Sequence, residues 1–222
     1  MLTVHHLNNS RSQRVLWLLE ELGVEYTVKR YERDARTMLA PAELKAVHPL
    51  GKSPVITHDG RTVAETGAIV EYLLDEFDDG RLRPAVGTDA FLQCRYWLHY
   101  AEGSAMPPLL LTLVFGQLPT QGPALLRPVL KGVAAAVERK FVGPQRRLHV
   151  GYWNDHLSRN TWFAGDAFSA ADIMMSFPLE AAAARGGGTD RYPHLEAALE
   201  AMQQRPAYQR ALERGGPYDM RF

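Results

Sequence analysis

Three short stretches of this chain gather side chains that can hold or activate a ligand. The first is Leu7-Asn8-Asn9-Ser10-Arg11-Ser12-Gln13-Arg14, a cluster of small polar residues just ahead of an apolar run at helical spacing. A hydroxyl in such a turn stands beside the positive end of a helix dipole, where an anion is stabilised. Ser10 and Gln13 also match a capping box, S-x-x-Q, which turns the Ser10 hydroxyl inward. A hydroxyl can donate outward while accepting from the helix, so the two uses are compatible. The second stretch is Gly51-Lys52-Ser53-Pro54-Val55. A proline opening a strand cannot donate to the ladder and belongs at an edge or in a special turn. With a cis Ser53-Pro54 bond, the main-chain N–H and C=O of Ser53 would face outward and pair with an extended peptide as an added strand does. A trans proline at a strand start is the plainer alternative. The third stretch, Ala64-Glu65-Thr66-Gly67-Ala68-Ile69, sets a polar pair where a strand gives way to a helix. The open amides of that helix start, with the Thr66 hydroxyl, suit a carboxylate, and Glu65 offers a negative charge to an amine. Alternatively, Thr66 only caps the helix.

The elements that must position these residues follow from hydrophobic spacing. Leu2–Leu7 reads as a strand, and Val15, Leu16, Leu18, Leu19 and Leu22 repeat at helical spacing until Gly23 stops the helix. Glu25–Tyr31 is extended, and Pro41–Val47 is a short helix or turn. Val55–His58 and Arg61–Ala64 form a hairpin across Asp59-Gly60. Thr66–Phe77 is helical, with Ile69, Val70, Leu73 and Leu74 inward. The order is βαβ, then ββα. Asp78–Thr88, rich in Gly, Pro and charge, reads as a linker. Beyond it, Asp89–Met106, Pro123–Leu157, Ala170–Arg185, Pro193–Gln204 and Pro206–Arg214 read as helices. The Gly186-Gly187-Gly188 run reads as a flexible interhelical loop, since no strand precedes it and no Lys-Ser/Thr follows. The expected fold class is α/β plus all-α: an N-terminal βαβ-ββα domain over 1–79, a linker over 80–88 and a helical domain over 89–222.

Bulk properties exclude several functions. The 222 residues suffice for one large or two small domains, and 46% hydrophobic residues allow a sizeable core. Lys+Arg and Asp+Glu balance at 25 each, without the clustered positive charge that nucleic-acid binding needs. The single cysteine, Cys94, forbids an internal disulfide and fits a reducing compartment. The start MLTVHHLNNSRSQR lacks a signal-peptide pattern. The longest apolar stretch, around Met106–Phe115, is broken by Pro107, Pro108 and Thr112 and falls short of the roughly 20 residues that span a bilayer. A soluble, cytoplasmic protein is expected. His5, His6, His48, His149 and His156 show no metal-ligand spacing, so no metal is expected.

In this order and spacing, HHLNNSRSQRVLWLLEELGVEY, HPLGKSPVI and VAETGAIVEYL resemble the three glutathione-contacting stretches of the glutathione transferases. The bacterial and fungal group with a Ser-Arg-Ser or Ser-Arg-Ala step at the first helix is the closest variety. Gly165-Asp166-Ala167-Phe168-Ser169-Ala170-Ala171-Asp172-Ile173 resembles the capping motif of that family's helical domain, with Ser169 as N-cap, Asp172 reaching back and Phe168 stapling onto Ile173. The resemblance implies a thioredoxin-like first domain, a helical-bundle second domain and glutathione as substrate. By the same resemblance, Ser53 before a cis Pro54 pairs with the cysteinyl unit, Glu65 and Thr66 hold the γ-glutamyl end, and Lys52 faces the glycyl carboxylate. The family's sulfur-contacting residue is tyrosine, serine or cysteine. This turn holds neither tyrosine nor cysteine; the resemblance favours Ser10, with Asn9 second, because the family's serine falls on Asn9 in another alignment of the turn and its amide can also donate, and Ser12 third.

The helical domain is expected to hold a small apolar electrophile or peroxide, with Tyr96, Tyr100, Gly103, Met106 and Pro107 as candidate contacts. Core or subunit interface is the plainer reading of that stripe. Trp17 falls on the polar side of the first helix by spacing and suggests a subunit contact; the resemblance implies a homodimer. Two rival functions share the fold: a glutathione-dependent disulfide reductase, and a non-catalytic glutathione-binding regulatory protein.

Overall fold

The computed structural model describes residues 1–184 and 191–220. Arg185 and the Gly186-Gly187-Gly188 run lie outside the described residues. The chain opens with β1 (Leu2–Leu7), α1 (Ser12–Leu22) and β2 (Thr27–Tyr31). A short α2 (Ala42–Val47), the hairpin strands β3 (Val55–His58) and β4 (Arg61–Ala64), and α3 (Thr66–Phe77) follow. The four strands lie in the order β2-β1-β3-β4, with β1 parallel to β2 and the other two pairings antiparallel. Parallel neighbours need a crossover, and α1 supplies it. The β3–β4 turn places Asp59 at φ 48° and Gly60 at φ 82°, the doubly positive pattern that Asp-Gly favours. This is the thioredoxin-like layer.

The rest of the described chain is helical: α4 (Asp89–Tyr100), α5 (Met106–Gln121), α6 (Arg127–Val137), α7 (Gly143–Leu157), α8 (Ala170–Ala184), α9 (Pro193–Gln203) and α10 (Pro206–Gly215). Two expectations change here. Pro107 and Pro108 read as interruptions, yet they sit in the first turn of α5. The expected single helix over Pro123–Leu157 divides into a short 3-10 turn, α6 and α7. Both outcomes have one cause. A π-helical turn, Ala101–Ala105 before Pro107 and Glu138–Val142 before Pro144, shifts the hydrogen-bond register just where a proline lacks its amide donor. Among the described residues no helix is long and apolar enough to cross a membrane.

Trp17 is not on a polar face. It is buried, with its ring against Phe168 and Tyr208 and its indole N–H donated to Glu21. The spacing argument assumes that one side of α1 meets water, whereas α8 and α10 pack against α1 as well. The α8 cap forms much as its motif indicates. The Ser169 hydroxyl accepts from the Ala171 amide, and the Asp172 carboxylate accepts from the Ser169 amide at 2.8 Å and the Phe163 amide at 2.8 Å. Phe168, expected against Ile173, makes its ring contacts with Trp17 and Trp162.

Candidate active site

The second and third stretches meet across a cavity of about 250 Å³, lined among others by Lys52, Ser53, Pro54, Glu65 and Thr66. The Ser53-Pro54 bond is cis. Ser53 Oγ donates to the His5 carbonyl at 2.9 Å and accepts from the Leu7 amide at 3.2 Å, which ties the side chain back to β1. Its main-chain N–H and C=O have no partner among the described residues. Gly51 turns the chain into this loop at φ 56°, a conformation that favours glycine. Glu65 stands at φ 71° as the N-cap residue of α3. Its carbonyl accepts from the Ile69 amide at 2.9 Å, but no side chain caps the helix. The capping use of Thr66 is therefore not realised. Thr66 is buried and lines the cavity at the open amide end of α3.

The first turn is tied together by hydroxyls. Ser10 Oγ lies 2.7 Å from Ser12 Oγ, which lies 2.8 Å from His6 Nδ1. All three residues are buried. Burial first, and Arg30 second, lower the His6 pKa to about 4, against a raising hydrogen bond to the Gly215 backbone. In the neutral ring one nitrogen accepts; with Nδ1 as that acceptor, Ser12 Oγ donates to His6 and faces Ser10 as an acceptor. The capping box is not formed: Arg11 is the N-cap residue of α1, and the buried Gln13 amide has no partner among the described residues. Ser10 instead accepts from the Ser12 amide at 3.3 Å. Asn9, at φ 48°, accepts from the Asp219 amide at 2.8 Å.

A second cavity of about 390 Å³ adjoins this turn; Asn9, Ser10, Arg11, Lys52, Ser53 and Met106 are among its lining residues. Of the expected second-substrate contacts, only Met106 lines either of these two cavities. Tyr100 bonds to His149 and accepts from the Trp153 indole, and Tyr96 and Tyr100 stack in an aromatic cluster with Trp97 and Tyr152. Gly103 is exposed and has no atom within 4 Å of where a Cβ would stand. Pro107 is exposed at the start of α5.

Sequence reasoning missed an ionic group that joins the two halves. Glu102, on the π-helical turn, accepts from Arg11 Nε at 2.9 and 3.0 Å and pairs with Arg14. Arg14 is buried and also donates to the Met174 carbonyl at 2.6 Å. Burial alone would raise the Glu102 carboxyl, but Arg14 and Arg11 outweigh it and hold it below the usual carboxylate range. Arg11 and Glu102 both line the first cavity. The available signal was a pair of arginines three apart at a helix start.

A thioredoxin-like layer followed by a helical bundle, with two adjoining cavities lined by residues of both, is the architecture of glutathione-using transferases. The glutathione S-transferase N-terminal domain profile matches residues 1–75, and the C-terminal domain profile matches residues 136–206. Glutathione S-transferase 3 of Schizosaccharomyces pombe is 34% identical over 216 residues, 96% of this chain and 88% of its own length. Glutathione S-transferase 1 of Saccharomyces cerevisiae is 32% identical over 223 residues, 96% of this chain and 95% of its own. A crystal structure of a glutathione S-transferase from Actinobacillus pleuropneumoniae has a TM-score of 0.80 at 32% identity, covering 99% of this chain and 95% of that one. The chain belongs to the glutathione S-transferase family.

Proposed function

We propose that this transferase binds glutathione in the first cavity, raises its thiolate fraction at Ser10 and presents the sulfur to an apolar electrophile in the second. The main-chain N–H and C=O of Ser53 pair with the cysteinyl unit. Thr66 and the amide end of α3 take the γ-glutamyl carboxylate, Glu65 takes the amine, and Lys52 faces the glycyl carboxylate. The one observation that carries this reading is a shared wall: Arg11, Lys52 and Ser53 line both cavities. A thiol lying along that wall reaches Ser10 and the second cavity together.

Ser12 Oγ has His6 Nδ1 and the Leu7 carbonyl as acceptors, so in this proposal the Ser10 proton is the movable one and turns from Ser12 to the sulfur. Each unit by which the thiol pKa falls favours the anion by about 1.4 kcal/mol. The thiolate then displaces a leaving group from carbon, or attacks a peroxide oxygen so that the O–O bond breaks and the alkoxide leaves with that pair and takes a proton from solvent, with proximity supplying much of the acceleration. Such an enzyme works as a homodimer in the cytoplasm; the lone, buried Cys94 is compatible with that compartment.

Ser10→Ala tests the assignment. The thiol pKa of bound glutathione, read from thiolate absorbance, is expected to rise by about one unit, and turnover of a chromogenic aryl halide at neutral pH to fall about tenfold. No change in either would remove Ser10 from this role and transfer it to Asn9.

A further inference from the structure

The second cavity carries charge of one sign. Arg11, Arg33 and Lys52 line it, and no carboxylate does. Arg11 shares Glu102 with Arg14, so two guanidinium groups stand against one carboxylate and a positive charge is left over. Lys52 is assigned above to the glycyl end of glutathione. That leaves Arg33, on the loop after β2. Arg33 Nη1 donates to the Met38 carbonyl at 3.1 Å, but its Nε is buried without a partner. No ion pair engages it among the described residues. Asp34, the neighbouring acid, gives its carboxylate to the Arg36 and Thr37 amides. Burial, then the charge of Arg11, lower the Arg33 pKa, which puts two like charges near one another on the same cavity.

A cation without an ion-pair partner, Arg33, near a second one whose carboxylate is shared with Arg14, is stabilised by an anion bound in the same partly apolar hollow. The remaining wall includes Met38, Leu39, Met106, Leu110, Leu113 and Phe177, which suit a hydrocarbon or aromatic body. We propose that the second substrate is an amphipathic anion: an apolar electrophile carrying a carboxylate that Arg33 holds. The inference rests on the glutathione reading of the first cavity and specifies the substrate class of the second. In the reaction the sulfur lone pair forms the new S–C bond, the leaving group departs with its bonding pair, and the thiol proton has already passed to solvent.

A matched pair of probes tests this: 4-chloro-3,5-dinitrobenzoate and its methyl ester, each kcat/KM divided by the uncatalysed rate with glutathione, so that intrinsic reactivity cancels. The acid is expected to be favoured about tenfold or more, Arg33→Gln to remove that preference, and Arg33→Lys to restore part of it. A wild-type preference for the ester, or an equal loss for both probes in Arg33→Gln, would overturn the proposal. So would a rise in the KM for glutathione in Arg33→Gln with the acid preference intact, because Arg33 would then serve the tripeptide's own carboxylate. Binding of unreactive 3,5-dinitrobenzoate without glutathione, measured by calorimetry, separates this inference from the glutathione reading. Binding that Arg33→Gln abolishes supports the anion pocket whether or not glutathione binds, and no binding contradicts it.

Discussion

At the scale of single residues, His6 shows how a buried residue outside both cavity walls can matter. It is buried, lies within hydrogen-bond distance of Ser12 Oγ and pairs across the sheet with Arg30 of β2. Its pKa of about 4 in the folded chain lies below the ordinary 6.5. Between those values the unfolded chain binds a proton that the folded chain refuses, so this contribution to stability is present above pH 6.5 and is lost as pH falls through about 4. The shift corresponds to about 3 kcal/mol. Denaturant midpoints measured from pH 7 down to 4 are expected to fall more steeply for the wild type than for His6→Gln. Equal slopes would show that His6 stays accessible to protons. In sequence, His5 and His6 look alike; they part only because successive strand residues face opposite sides of a sheet.

At the scale of elements, much was legible. Strand alternation, the Asp59-Gly60 turn and the Gly23 stop are local signals, and β1, β3, β4 and α3 fall where those signals put them. The Ser169–Asp172 cap is legible for the same reason, since its partners lie within a few residues. What sequence did not disclose depends on distant neighbours. The burial of Trp17 needs α8 and α10 in place, and the π-helical turn that presents Glu102 follows from prolines read as breaks. In the site, the Lys52-Ser53-Pro54 and Glu65-Thr66 pairs were visible as motifs, whereas Arg11, Arg14, Arg33 and Glu102 were not. The parts of Arg11, Arg14 and Glu102 arise from packing between distant elements, as in the Arg11–Glu102 and Arg14–Met174 contacts, separated by 91 and 160 residues.

One of these contacts yields an expectation for how α1 is held to the helical part. Arg14 satisfies both the Glu102 carboxylate and the Met174 carbonyl. Arg14→Met leaves the carbonyl unpaired and Glu102 with Arg11 alone. Breaking a fully buried pair costs 3–5 kcal/mol; because Glu102 keeps one partner and is one-third exposed, about 2–3 kcal/mol is expected here. Urea unfolding is expected to show it as a lower midpoint at unchanged slope. A loss below about 0.5 kcal/mol would mean that the clamp adds nothing to the joint.

At the scale of the whole molecule, the account is a division of labour. In this proposal the sheet layer supplies main-chain and helix-end groups for a peptide and the cations of the second hollow, the helical part supplies apolar wall through Met106, Leu110, Leu113 and Phe177, and Arg11, Lys52 and Ser53 line both cavities. The most direct test is calorimetric titration of the purified chain with glutathione. The account predicts one glutathione per chain, with Kd at or below the millimolar range, weakened about tenfold by Thr66→Ala. A folded protein that takes up no glutathione at several millimolar would contradict it.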